Sequence, residues 1–138
     1  MDYAGISSRL INFANACVGH RKGGLAVVTV IVACFFAAIS GSGPATVAAI
    51  GGVLIPAMVR QGYNKDFATA LVASSGGIGM IIPPSIPFII YAMLAEVSVG
   101  TMFIAGIIPG ILFGVFFSVA ALIYLRNDEK SIQTGKQR

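Results

Sequence analysis

The chain has 138 residues, of which 57% are hydrophobic and 10% charged, with nine Lys and Arg against five Asp and Glu. That balance, with long uncharged stretches, is the composition of an integral membrane protein and excludes an ordinary soluble domain. The net charge of +4 does not indicate nucleic acid: every Lys and Arg falls within residues 9–22, 60–65 or 126–138, at the flanks of apolar runs, as charge that sets membrane orientation does.

Residues 1–24 read as an amphipathic, interfacial segment. Ile6, Leu10, Phe13 and Cys17 recur at helical spacing with Arg9, Asn12 and Asn15 between them; a frayed loop is the rival reading. No charged region followed by an apolar core marks a signal peptide in the first twenty residues. His20, the only histidine, lies in a basic turn and reads as an interfacial polar residue. Cys17 and Cys34 read as small core residues, since neither has metal-ligand spacing.

Residues 25–60 contain the stretch on which the rest depends, Ser40-Gly41-Ser42-Gly43-Pro44-Ala45-Thr46. It interrupts an apolar run, and irregular backbone at membrane depth survives only when buried in protein or lining a wet cavity. The arm before it, Leu25 to Ile39, reaches about 23 Å as a helix. A bilayer core is roughly 30 Å thick. The arm after it is as short, and Pro44 suits its first turn. Two short arms around a central break predict a re-entrant helical hairpin; one kinked span is the alternative.

Gly62 ends the second arm, and Asn64 or Asp66 can cap the next helix. Residues 64–96 predict a discontinuous transmembrane helix. Ser74-Ser75-Gly76-Gly77-Ile78-Gly79 weakens it and Pro83-Pro84-Ser85-Ile86-Pro87 interrupts it, leaving half-helices at Phe67–Ile78 and Ile86–Ala95. Residues 101–125 predict one full transmembrane helix, in which Gly106, Gly110 and Gly114 permit close contact. Residues 126–138 read as a polar, disordered cytoplasmic tail. With a hairpin, all basic flanks share the cytoplasmic side and the loop at Glu96 faces out; a single kinked span would divide them.

Two interrupted apolar segments in one chain are a pointer to a transporter binding site. Carbonyls at the breaks lose helical partners, and Ser40, Ser42, Thr46, Ser74, Ser75 and Ser85 add hydroxyl oxygens, a neutral set suited to Na⁺. Half-helix N-termini near Pro44 and Ser85 carry partial positive charge toward an anion. The bland alternative is that the glycines serve only tight packing. An intramembrane serine hydrolase built on Ser42 lacks a base, and no Walker-type loop supports ATP hydrolysis. These features describe no enzyme.

The same residues carry a family resemblance. Ser40 through Gly51, then Pro56, Gly62-Tyr63, Gly76-Gly77-Ile78-Gly79-Met80-Ile81-Ile82-Pro83-Pro84-Ser85-Ile86-Pro87, Tyr91 and Ala105-Gly106-Ile107-Ile108-Pro109-Gly110 resemble the N-terminal repeat of the large permease subunit of tripartite ATP-independent periplasmic (TRAP) transporters. The resemblance implies an all-α membrane protein: a re-entrant hairpin, a discontinuous transmembrane helix and a full one, half of an inverted-repeat ion-transporter fold. It implies Na⁺-coupled uptake of organic anions such as C4-dicarboxylates across the bacterial inner membrane, with Na⁺ as coupling ion and no cofactor. The implied partners are a small TRAP membrane subunit, a periplasmic substrate-binding protein, the second repeat of the permease and the lipid bilayer. Ser40, Gly41, Ser42, Gly43 and Thr46 at the hairpin tip, with Gly76, Gly77 and Gly79, match one Na⁺ site; Pro44, Pro83, Pro84 and Ser85 lie beside the substrate. The family's second repeat and preceding scaffold helices are missing here, so the alternative is a truncated membrane fragment with a structural role only.

Overall fold

The computed structural model describes residues 23–135, with side chains through Asn127. The interfacial segment expected over residues 1–24, with Cys17 and His20, lies outside the described residues except for its last two. Five α-helices follow one another: α1 (Gly24–Ser40), α2 (Gly43–Arg60), α3 (Lys65–Gly76), α4 (Ile86–Leu94) and α5 (Val99–Gly135). A 3₁₀ turn at Gly77–Met80 continues α3.

Local chemistry sets the ends. Gly41 adopts φ +62°, and its N–H donates to the Ala37 carbonyl at 2.8 Å, closing α1 with a left-handed cap. Ser42 is extended, and Pro44 enters α2 in its first turn, where a missing N–H costs nothing. Between α2 and α3, Gly62 takes φ +89°, and the Asn64 side chain accepts the Asp66 N–H at 2.8 Å as the N-cap.

α1 and α2 form an antiparallel hairpin. The Gly23 N–H at its start donates to the Tyr63 hydroxyl just beyond its end, at 2.9 Å. α3 packs against both arms, and Val28, Val30, Ile50, Leu54, Met58, Val72 and Ile78 fill the space between them, almost wholly buried. Thr29, also buried, satisfies its hydroxyl on the Leu25 carbonyl at 2.8 Å. Two helical stretches, Gly43–Arg60 and Val99–Asn127, are long and apolar enough to cross a membrane.

α5 returns along α4, the break and α1 by a row of glycines. A Cβ on Gly106 would collide with the Phe88 ring and sit 2.6 Å from the Ile81 carbonyl oxygen; on Gly110 it would stand 2.7 Å from Ile82 Cγ1; on Gly114, 3.5 Å from Cys34 Sγ. These contacts set the level of the break along α5 at residues 106–110. By the helical rise, that level is about 21–27 Å from Tyr124 and about 10–16 Å from Val99. The hairpin tip therefore stops short of the Val99 end, while α4 continues past it.

Two expectations are corrected. The interruption in the hairpin is narrower than Ser40 to Thr46: only Gly41-Ser42 leaves the helix, because Ser40 still ends α1 and α2 already begins at Gly43, with Pro44 in its first turn as expected. The polar stretch from Arg126 is not an irregular tail over its length: α5 runs on through Gly135. The reason is local, since Arg126 to Thr134 holds no Gly or Pro, and a helix already nucleated propagates through such residues.

Candidate functional site

The site is the junction of the two breaks. Its first half is a closed ring of hydrogen bonds at the hairpin tip. The Ser42 N–H donates to Ser40 Oγ at 3.3 Å; Ser40 Oγ lies 2.9 Å from Thr46 Oγ1; and Thr46 Oγ1 donates to the Ser42 carbonyl at 2.8 Å. Ser40 Oγ also lies 3.2 Å from the Ser42 carbonyl, so either hydroxyl can donate to the other while its partner donates to that carbonyl. Thr46 is fully buried, and its own N–H also reaches the Ser42 carbonyl, at 3.0 Å. Such a self-satisfied network rigidifies the tip.

The second half is the segment from Gly76 to Ser85. Ser85, fully buried, donates its hydroxyl to the Met80 carbonyl at 2.6 Å and accepts the Phe88 N–H at 3.4 Å. The loop is thereby folded back on the end of the 3₁₀ turn, with α4 capped by the same side chain.

The halves meet main chain to main chain. The Ile86 N–H donates to the Gly41 carbonyl at 3.2 Å. A Cβ on Gly41 would lie 2.6 Å from the Pro84 carbonyl oxygen, and one on Gly43 would lie 3.0 Å from the Gly76 carbonyl oxygen and the Met80 methyl. A Cβ on Gly79 would lie 3.2 Å from Ala37 Cβ and 3.4 Å from the Gly43 nitrogen, and Gly76 would clash with Val47. Glycine at these positions is what lets two interrupted helices touch.

Of the residues expected at the site, the structure brings together Ser40, Gly41, Ser42, Gly43, Thr46, Gly76, Gly79, Pro84 and Ser85. Gly77 is exposed and meets nothing within 4 Å, and Pro44 is exposed on the outer side of α2. Pro83 is half-buried in the loop. Ile86, whose N–H makes the joint, and Val47, which receives Gly76, were not among the residues expected there. No periodicity marks either, because one acts through its main chain and the other as ordinary helix packing.

Ser75 is fully buried, and its hydroxyl has no hydrogen-bond partner among the described residues. The two helix N-termini also differ. At α4 the donors are engaged: Ile86 N on Gly41, Phe88 N on Ser85, and Pro87 has none. At α2, Ser42 gives no side-chain cap, and the N–H groups of Gly43 and Ala45 take no partner among the described residues. No cluster of three His, Cys, Asp or Glu side chains is present among the described residues, so any ion at this junction would be held by neutral oxygens.

An all-helical apolar chain whose two interrupted segments meet over uncharged oxygens belongs to the class of membrane transporters rather than enzymes. A family model confirms it: residues 1–138 match the DctM component of the tripartite ATP-independent periplasmic transporter, and the chain belongs to that family. It is 50% identical over 126 residues to the C4-dicarboxylate TRAP transporter large permease protein DctM of Pseudomonas aeruginosa, an alignment covering 91% of this chain and 30% of that protein. It is 53% identical over 115 residues to the isethionate TRAP transporter permease protein DctMQ of Oleidesulfovibrio alaskensis, covering 83% of this chain and 18% of that one. It is 47% identical over 118 residues to the ectoine TRAP transporter large permease protein TeaC of Halomonas elongata, covering 86% and 28%. The chain thus spans less than a third of the length of these relatives.

Proposed function

We propose that this chain forms one half of the ion and substrate site of a TRAP large permease, which takes up an organic anion in symport with Na⁺. The observation that carries the proposal is the main-chain joint between the two breaks, flanked by the ring of Ser40, Ser42 and Thr46. Neutral hydroxyl and carbonyl oxygens gathered at the half-buried hairpin tip match the preference of a hard monovalent cation. Gly41, Gly43, Gly76 and Gly79 let them converge, and the lone hydroxyl of Ser75 supplies a further oxygen.

The hairpin is re-entrant on this reading, because its tip ends at the level of residues 106–110 of α5 while α4 goes on. The basic end faces the cytoplasm of a bacterial inner membrane. The free N–H groups at the start of α2 make that helix end, rather than the start of α4, the one that faces an anion's negative charge. The relatives are named for C4-dicarboxylate, isethionate and ectoine; two of these are anions, and ectoine carries a carboxylate, so the shared substrate chemistry is a small anionic head. A periplasmic binding protein delivers it, a small membrane subunit completes the tripartite system, and the second repeat of the permease closes the site.

In a complete transporter carrying this segment, Ser42→Ala and Thr46→Ala are expected to weaken Na⁺ activation of uptake, and unchanged activation in both would reject the site. Thr46→Ala is the more informative, because it opens the hydroxyl ring directly. Ser75→Ala separates ion binding from folding. Deleting a buried hydroxyl that has no partner leaves thermal stability unchanged or raised, whereas loss of an ion ligand lowers apparent Na⁺ affinity. A Ser75→Ala protein with normal Na⁺ dependence would remove Ser75 from the site.

A further inference from the structure

We infer that the end of the molecule opposite the α4–α5 loop, where the stacked rings of Tyr63, Phe67 and Tyr124 have Arg60, Lys65 and Arg126 as near neighbours in the chain, is a binding surface for the phosphate headgroup of an anionic phospholipid. Tyr63 and Phe67 lie with ring centroids 6.3 Å apart and planes within 10°, and Phe67 and Tyr124 with centroids 4.6 Å apart and planes within 4°. This ladder ties the turn after α2, the first turn of α3 and the far end of α5 into one body. It thereby gathers three cations from three separate helices, because Arg60 precedes Tyr63 by three residues, Lys65 precedes Phe67 by two, and Arg126 follows Tyr124 by two. All three are exposed.

Gathering like charges costs repulsion unless an anion relieves it. Asp66, the neighbouring acid, sits in the first turn of α3, where the helix dipole already favours it.

The occupant's chemistry follows from what adjoins the cations. On the membrane side of Arg126, the outward residues of α5 are Leu122, Ile123 and Val119, exposed by 45%, 56% and 47%. A basic rim over an exposed aliphatic strip fits a molecule with a phosphate at one end and an acyl chain at the other, and a free anion would use only half of it. Tyrosines at the level of the headgroups are the usual neighbours of such a site, and juxtamembrane Lys and Arg clusters attract anionic lipid. The inference concerns a surface about 21–27 Å along α5 from the level of the proposed ion site and is read without transport.

The test is native mass spectrometry of the detergent-purified chain, titrated separately with phosphatidylglycerol, phosphatidylcholine and inorganic phosphate. The wild-type chain is expected to retain phosphatidylglycerol several-fold better than phosphatidylcholine, with inorganic phosphate failing to displace it. The triple variant R60Q/K65Q/R126Q is expected to fall to the phosphatidylcholine level, while the charge-conserving R60K/R126K keeps the preference. Circular dichroism verifies equal helix content. Should the first triple variant fail to fold, Lys65→Gln and Arg126→Gln singly are each expected to lower retention. Equal retention by the cluster variants, equal loss in the charge-conserving variant, or displacement by inorganic phosphate alone would overturn the inference.

Discussion

Gly41→Ala is expected to be the most damaging single-methyl change in this chain. Two independent effects add. Gly41 holds φ +62°, and a side chain in the left-handed region costs about 1–2 kcal/mol. The added methyl also lands 2.6 Å from the Pro84 carbonyl oxygen, and main chain cannot swing aside as a long side chain does; forced overpacking of this kind costs roughly 1–3 kcal/mol. The alanine would push the Pro84–Ile86 segment away from the hairpin tip and break the bond from the Ile86 N–H to the Gly41 carbonyl. Thermal unfolding of the purified chain is expected to show a clear drop in Tm. In a complete transporter the same change is expected to abolish uptake, because the two halves of the proposed ion site part company. Gly52→Ala is the control: its Cβ would meet nothing within 4 Å, and replacing a helix-interior glycine there leaves Tm equal or higher, by up to about 1 kcal/mol of stability. If both alanines lower Tm alike, the special role of Gly41 is wrong.

Gly76→Ala is the second large effect, and it comes with its own rescue. The new Cβ would occupy the space of a Val47 methyl and stand 3.2 Å from the Gly43 carbonyl oxygen. Val47 is β-branched and has essentially one rotamer in a helix, so it cannot yield without moving α2 away from α3. A loss of about 1–3 kcal/mol follows. Val47→Ala opens room for the new methyl, so the double variant is expected to recover most of the Tm that Gly76→Ala loses. Residues in contact show such non-additivity, and distant ones do not. Simple addition of the two losses would mean that α2 and α3 do not meet there.

Much of this arrangement was legible in the sequence because it is written in residues with few alternatives. Gly41-Ser42 followed by Pro44 stops one helix and starts another on steric grounds alone, and the Pro83-Pro84-Ser85 run does the same for the second break. Gly106, Gly110 and Gly114 announce a close-packed face, and that face meets Phe88, Ile81, Ile82 and Cys34. Asn64 was one of two candidate caps, and it is the one used.

What the sequence did not reveal depends on pairs far apart in the chain. Nothing local says that the Gly41 carbonyl accepts from Ile86, so both half-helix N-termini looked equally free, whereas the donors of α4 are engaged. The width of the first break was overestimated, because Gly43 reads as a breaker although it begins α2. The extent of α5 was underestimated, because a charged, polar run after a membrane helix looks like a tail although it holds no Gly or Pro to stop the helix before Gly135.

The meeting of the two breaks is made by peptide groups, and that has an evolutionary corollary. A latch built of main chain is indifferent to which aliphatic side chain stands at position 86, so neighbouring positions are free to drift. Only the loss of a glycine at the contact, or an imino acid where the amide proton is needed, would unhook it.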